Sequence, residues 1–188
     1  MDHNAIALRI ATREDIPAMS ALIVASAREL SRGFYSEAET ESAIRYVFGV
    51  DTALIEDGTY YVAEMDGSLA ACGGWSKRNT LYGGDQRPVG ATSFLDPAVD
   101  AARIRAFFVA PTAARRGIGR MLLDESAQAA GAAGFRALTL MATLPGVPFY
   151  RALGFTADED VVDVLPDGTP LRFVRMSRRV GEWGQTTL

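Results

Sequence analysis

The stretch Arg115-Arg-Gly-Ile-Gly-Arg120 places two glycines one residue apart behind a pair of arginines, between an apolar run that ends at Val109 and another that follows. Residues of these types can bind an anion. A helix that begins directly after such a loop leaves its first amides without partners, and those amides carry the positive end of the helix dipole. Gly117 and Gly119 lack Cβ atoms, so the turn can take unusual dihedral angles and the backbone can approach a phosphate closely. Arg115, Arg116 and Arg120 add charge. The same glycines also read as packing residues that end a strand and let a helix lie against a sheet, and from the loop alone both readings stand. Two known phosphate motifs fit badly. A Walker A loop needs Lys-Ser or Lys-Thr after its last glycine, where Arg120-Met121 stands here. A dinucleotide fingerprint needs a third glycine and the first strand of a βαβ unit.

The elements that must hold this loop can be read from periodicity and punctuation. Leu8–Ile10 reads as a strand, and Thr12-Arg-Glu-Asp15 as a helix N-terminus with acidic residues in its first turn. Ile16, Met19, Ile23, Ala27 and Leu30 then recur at helical spacing up to Gly33. Ser36 caps a second predicted helix to about Phe48, and a helical turn comes next over Thr52–Glu56. Tyr60–Met65 and Leu69–Trp75 form a hairpin around Asp66-Gly67. Residues 76–100 are polar and rich in glycine and proline, a length at which loops often serve as lids or binding segments. Arg103–Val109 is the strand before the glycine loop, and the helix after it runs to about Ala133. Ala137–Ala142 is a further strand, Val147–Leu153 a short helix ended by Gly154, and Val161–Leu165 with Leu171–Met176 a closing hairpin around Pro166-Asp-Gly168. The order predicts one mixed α+β domain over residues 1–188, with a loose tail from about 180 and parallel pairing only in the central strand–helix–strand unit.

Composition bounds the partners. The 188 residues are 48% hydrophobic and carry a formal charge of −4, which lacks the basic face of a nucleic-acid-binding domain. No apolar run approaches the roughly eighteen residues of a membrane span, and the N-terminus does not resemble a signal peptide. The single cysteine, Cys72, can form no intramolecular bridge, and no structural metal is needed at this size. The expectation is a cytoplasmic protein with no nucleic-acid, membrane or metal partner. A homodimer is compatible with the sequence, which does not establish one.

Val109-Ala-Pro111, Arg115-Arg-Gly-Ile-Gly-Arg120 and Phe149-Tyr-Arg-Ala-Leu-Gly-Phe155, at this separation and with one strand between the last two, resemble the GCN5-related N-acetyltransferase (GNAT) family. The likeness is strongest from about Ala101 to Phe155, and the order of the remaining elements is compatible with it. It implies the GNAT-like acyl-CoA N-acyltransferase fold: a mostly antiparallel central sheet, flanked by helices, whose fourth and fifth strands are parallel and splay apart. It also implies acetyl-CoA as cosubstrate. The pyrophosphate would lie on the amides of Arg115, Arg116, Gly117, Ile118, Gly119 and Arg120, and the pantetheine would pair with the backbone of Phe107, Phe108 and Val109. Two positions depart from the family pattern. Ala114 stands where a glutamine or arginine is usual, and Thr143 replaces an asparagine seven residues before the tyrosine. Because the loop contacts are mostly backbone amides, binding is expected to survive the first change.

Acetyl transfer from a thioester to an amine needs a neutral amine, a donor for the oxyanion and a proton for the departing thiolate. By the resemblance, Tyr150 is the general acid and an amide at Phe107 or Val109 the oxyanion donor. No base is evident: some relatives carry a glutamate where Arg103 stands, and Glu64, Asp85 and Asp96 read either as surface carboxylates or as bases or water-relay partners. Strand alternation puts Arg103, Arg105, Phe107 and Val109 on one face. If that face borders the acceptor site, the two arginines would disfavour a polycation and favour an acceptor carrying a carboxylate or phosphate, and otherwise they read as surface ion-pairing residues. Trp75, Tyr82 and Phe94 are candidate acceptor-pocket residues, and His3 is assigned no role. The implied activity is acetylation of a primary amine on a small molecule or peptide. A non-catalytic acyl-CoA-binding or regulatory module is the alternative.

Overall fold

The computed structural model describes residues 6–87, 90 and 92–181. His3 and the tail beyond 181 lie outside them. The elements run β1 (Ile6–Ile10), α1 (Ile16–Leu30), α2 (Glu37–Tyr46), α3 (Thr52–Glu56), β2 (Tyr60–Met65), β3 (Ser68–Ser76), β4 (Ala102–Val109), α4 (Ile118–Ala132), β5 (Ala137–Thr143), α5 (Val147–Ala152), β6 (Thr156–Val164) and β7 (Pro170–Arg179). The seven strands form one sheet in the order β1-β2-β3-β4-β5-β7-β6. Every neighbouring pair is antiparallel except β4 with β5. That exception comes from α4, because a helical crossover between adjacent strands returns the chain in the same direction.

Local chemistry fixes the ends of the elements. Ser36 accepts from the Glu39 amide and Glu39 accepts from the Ser36 amide, a reciprocal cap that starts α2. Asp15 accepts from the Thr12 amide ahead of α1 and is paired with Arg9, which reaches Glu64 on β2 as well. The closing hairpin is longer than its apolar residues suggest. β6 begins Thr-Ala-Asp-Glu-Asp and is an exposed edge strand, so its first half carries no burial signal.

Alternation along β2 sorts the core into two layers. Tyr61 and Ala63 pack with Leu122, Leu123, Ala127 and Ala130 of α4, whereas Tyr60 and Val62 pack with Met19, Leu22 and Ile23 of α1, Ala43 of α2 and Leu54 of α3. The alanines of α4 let its backbone lie close to the sheet.

Two irregularities set the shape of β4. It is paired with β5 only at Ala102 with Leu138 and Arg103 with Thr139, and beyond that point the two strands splay. β4 also bulges against β3. Gly74 faces Arg105 and Cys72 faces Phe108, so Ala106 and Phe107 together oppose Gly73, and Ala106 has φ +55°. The extra residue flips the alternation. Ala102 and Ile104 before the bulge, and Phe107 and Val109 after it, all pack on the α4 side. Arg103 and Arg105 therefore point to the opposite side from Phe107 and Val109, which corrects the expectation of one shared face.

Candidate functional site

The loop between β4 and α4 is built from left-handed residues. Arg115 has φ +62° and Gly117 φ +81°, and Gly117 is the N-cap of α4, where no side chain caps the helix. A backbone that alternates in this way turns successive N–H groups toward one concavity, which suits an anion. The two glycines have different tasks. A Cβ on Gly117 would meet nothing within 4 Å, so its role is conformational, whereas a Cβ on Gly119 would lie 3.1 Å from Phe149 Cζ and 3.7 Å from Val109 Cγ2. Gly119 thus fits the packing reading of the loop, and Gly117 sets its left-handed turn. The side chains are peripheral. Ile118 is buried in the core, Arg116 reaches Met65 Sδ, and Arg120 lies 3.9 Å from Asp124.

A cavity of about 250 Å³ passes through the sheet where β4 and β5 part. Phe107, Phe108 and Val109 line it from β4, Leu140, Met141 and Thr143 from β5 and its end, and Gly119, Phe149 and Tyr150 from the α4–α5 side. Of the loop residues named from sequence, Gly119 reaches its wall, while Arg115, Arg116, Gly117, Ile118 and Arg120 surround the α4 N-terminus outside it. The backbone of β4 is open to the gap. The Ala110 amide bonds Ala70 O on the β3 side. Amides alternate in direction along a strand, so that of Val109, one residue earlier, points into the splay.

The bulge that sets this stretch of β4 is held from below. The hydroxyl of Tyr60, itself fully buried, donates to Ala106 O at 3.3 Å, and Cys72 Sγ lies 3.6 Å from the same hydroxyl. Burial pushes the Tyr60 phenol well up and the Cys72 thiol up to about 12, so both remain protonated and neither is a nucleophile at neutral pH.

Tyr150 sits on α5, a helix entered through Leu144-Pro-Gly146 with Pro148 in its first turn, and closed by Gly154 at φ +83°. Its ring is packed edge-on between Phe149 at 5.0 Å and Phe155 at 5.6 Å. Among the described residues its hydroxyl has no hydrogen-bond partner. Burial alone raises its phenol above the ordinary range, which keeps it a proton donor. Arg178 anchors this turn from β7, donating to Leu153 O at 2.8 Å while its guanidinium lies 4.9 Å over the Phe155 ring.

On the α1–α2 side the wall includes Arg105, across the sheet from the Phe107 and Val109 side chains with which strand alternation grouped it. It is buried and committed, with Nη1 2.8 Å from Asp51 Oδ2 and Nη2 donating to Gly83 O. Burial raises the Asp51 carboxyl, and Arg105 opposes that rise. The 81–87 segment is tied down at several points. Gln86 donates to Phe48 O and Ile44 O, Asp85 accepts from the Thr52 amide, and Arg87 pairs with Asp163 while covering the Tyr82 ring at 4.4 Å. This half of the long loop forms cavity wall. Of the candidate aromatics, Tyr82 lines the cavity. Trp75 is in the core against Phe135, and Phe94 lies exposed beneath Lys77 and Arg78. Glu64 pairs with Arg9, and Asp96 caps its own turn at the Ala98 amide. Asp51 gave no sequence signal, because its partner lies more than fifty residues away.

Among the described residues no group of three or more His, Cys, Asp or Glu side chains could hold a metal ion, and no helix is long and apolar enough to cross a membrane. A model of the acetyltransferase (GNAT) family matches residues 24–155. No curated protein matches the chain. Solved structures share its fold. A GCN5-related N-acetyltransferase structure from Rhodopseudomonas palustris superposes with a TM-score of 0.69 at 24% identity, covering 95% of this chain and 98% of its own. The PaiA N-acetyltransferase of Thermoplasma acidophilum, solved with coenzyme A, gives 0.61 at 16% identity over 93% and 99%. N-acetylglutamate synthase from Neisseria gonorrhoeae, solved with coenzyme A and N-acetyl-glutamate, gives 0.57 at 20% identity over 94% of this chain and 35% of that one.

Proposed function

Because the chain belongs to the acetyltransferase (GNAT) family, we propose that it carries an acetyl group from acetyl-CoA to a primary amine of a small molecule or peptide by direct attack. The observation that carries this reading is the cavity through the β4–β5 splay, with the uncapped N-terminus of α4 beside it and Tyr150 on its wall. The amides from Arg115 to Arg120 would hold the pyrophosphate, and the exposed backbone edge of Phe107 to Val109 would pair with the pantetheine arm. Acetyl-CoA supplies the activated thioester. The coenzyme A bound in the Thermoplasma neighbour supports the same ligand here.

The chain's own groups divide the remaining work. The Val109 amide, directed into the splay, donates to the carbonyl oxygen as negative charge gathers there. The amine nitrogen forms the new bond to carbon, the carbon–sulfur bond breaks, Tyr150 gives its proton to the departing sulfur, and the proton that the nitrogen sheds returns through water to restore the phenol. Among the described residues no carboxylate or imidazole lines the cavity. The amine therefore enters uncharged or loses its proton to water.

Tyr150→Phe tests the assignment. Loss of a positioned acid costs about 100-fold in kcat, while acetyl-CoA affinity should stay within about twofold, since the ring and its packing remain. Unchanged kcat would remove Tyr150 from the chemistry.

A further inference from the structure

We infer that the acceptor is a small primary amine on an uncharged apolar body, such as an arylalkylamine, and neither a polyamine nor an acidic amino acid; this rests on the proposed acetyl transfer. The α1–α2 half of the cavity is walled by Leu30, Val47, Phe48, Met141, Phe108 and Phe173. Two of its surfaces are aromatic pairs. Phe48 meets Phe108 edge-on at 5.8 Å, and Tyr82 lies against Phe173 at 5.2 Å, held from behind by Arg87. Rings packed in this way present apolar surface to a ligand and stay rigid on binding.

Charge argues in the same direction. A polyamine carries a second ammonium that needs a carboxylate or a set of carbonyls, and among the described residues no Asp or Glu side chain lines the cavity. The acidic residues next along the chain to this wall are engaged elsewhere: Asp51 on Arg105, Asp85 on the Thr52 amide and hydroxyl, and Glu29 on Arg32. An acidic amino acid needs a cation, and Arg105, the one charged side chain on the wall among the described residues, has its terminal nitrogens engaged by Asp51 and Gly83 O. Either kind of ligand would bury an uncompensated charge, a penalty that an apolar body avoids. The size of the space agrees. A cavity of about 250 Å³ is below the usual range of roughly 300–1,000 Å³ for drug-sized ligands, so with the acetyl end of the cosubstrate inside it accommodates little more than one ring.

The test compares 2-phenylethylamine, spermidine and L-glutamate as acceptors, following coenzyme A release at fixed acetyl-CoA. The expected result is a kcat/KM for 2-phenylethylamine about 100-fold above either of the others, rising with pH toward the amine's own pKa because no side chain takes its proton. Equal or better turnover of spermidine or glutamate overturns the inference and leaves acetyl transfer itself standing. Turnover of none of the three overturns it as well, and thermal stabilisation by acetyl-CoA on the same sample then tells whether the cosubstrate site has failed too. Leu30→Glu gives a second arm. Leu30 is 38% exposed at the rim, a position where folding tolerates a charge. The new carboxylate should raise the spermidine-to-phenylethylamine ratio about tenfold, and an unchanged ratio would overturn the assignment of this wall to the acceptor.

Discussion

A single methyl group at position 119 asks whether the packing behind the α4 N-terminus governs the chemistry. In Gly119→Ala the added Cβ would lie 3.1 Å from Phe149 Cζ and 3.3 Å from its Cε2. Carbon atoms pack best at about 3.5–4.0 Å, so the ring must retreat by about half an ångström. Phe149 meets Tyr150 edge-on, and the displacement passes to the proposed acid. Two stability effects oppose each other: alanine gains about 1 kcal/mol over glycine inside a helix, and overpacking costs about 1–3 kcal/mol. The net loss is at most about 2 kcal/mol, or a fall in Tm of no more than about 8 °C for a chain of this length. The rate should respond more sharply. A 1 Å misplacement costs about 100-fold, so half of it predicts about a tenfold loss in kcat. Gly117→Ala is the contrast, because its Cβ has open space and its φ is +81°. There the left-handed backbone costs about 1–2 kcal/mol, and the loss should appear as stability and acetyl-CoA affinity with kcat at saturation preserved. Thermal melts and coenzyme A release under saturating acetyl-CoA read both variants. An unchanged kcat in Gly119→Ala, with a fall in Tm like that of Gly117→Ala, would refute the link from Gly119 through Phe149 to Tyr150.

Two further outcomes are expected. Tyr60→Phe removes the hydroxyl that holds the Ala106 carbonyl, costing about 1 kcal/mol of stability and lowering kcat by about tenfold as the β4 amides lose their direction. Adding Ala106→Gly, which relaxes the positive φ, should restore most of the rate, and a loss that persists in the double variant would show that the bulge is not what Tyr60 serves. The pH dependence of stability comes from buried neutral groups: burial raises the Cys72 thiol from 9.0 to about 12 and the Tyr35 phenol from 10.0 to about 12. The unfolded chain then loses these protons first, so stability is complete below pH 9 and declines as pH rises toward 12. Urea melts across that window should show the decline, and Cys72→Ala should flatten its onset; an identical slope in the variant would count against a buried, protonated thiol.

The order of elements was legible because the apolar periods are clean, and because Asp66-Gly67, Gly33 and Gly154 punctuate them. The parallel β4–β5 pair was legible for the same reason, since one helix separates two strands. The length of β6 was not, as an exposed edge strand of acidic residues has no apolar face to declare it. The bulge at Ala106 was hidden more deeply. An alanine at positive φ has no sequence signature, and the residues that hold it, Tyr60 and Cys72, are far away in the chain. That one hidden residue put Arg103 and Arg105 on the opposite side of the sheet from Phe107 and Val109. The glycine loop could be read from its spacing, but the division of labour between Gly117 and Gly119 required knowing that Phe149 packs against one of them. The Asp51–Arg105 pair joins residues whose proximity exists only in the fold.

The most direct test of the central claim is a thermal-shift comparison of acetyl-CoA and coenzyme A with ATP and NADH. At one hundred times its Kd a ligand adds about 2.7 kcal/mol of stability, or about 5–11 °C for a chain of this size. Both coenzyme A species should produce this shift, and ATP and NADH should not. No shift with either coenzyme A species at millimolar concentration would contradict it, leaving the α4 N-terminus and the splayed strands as packing alone.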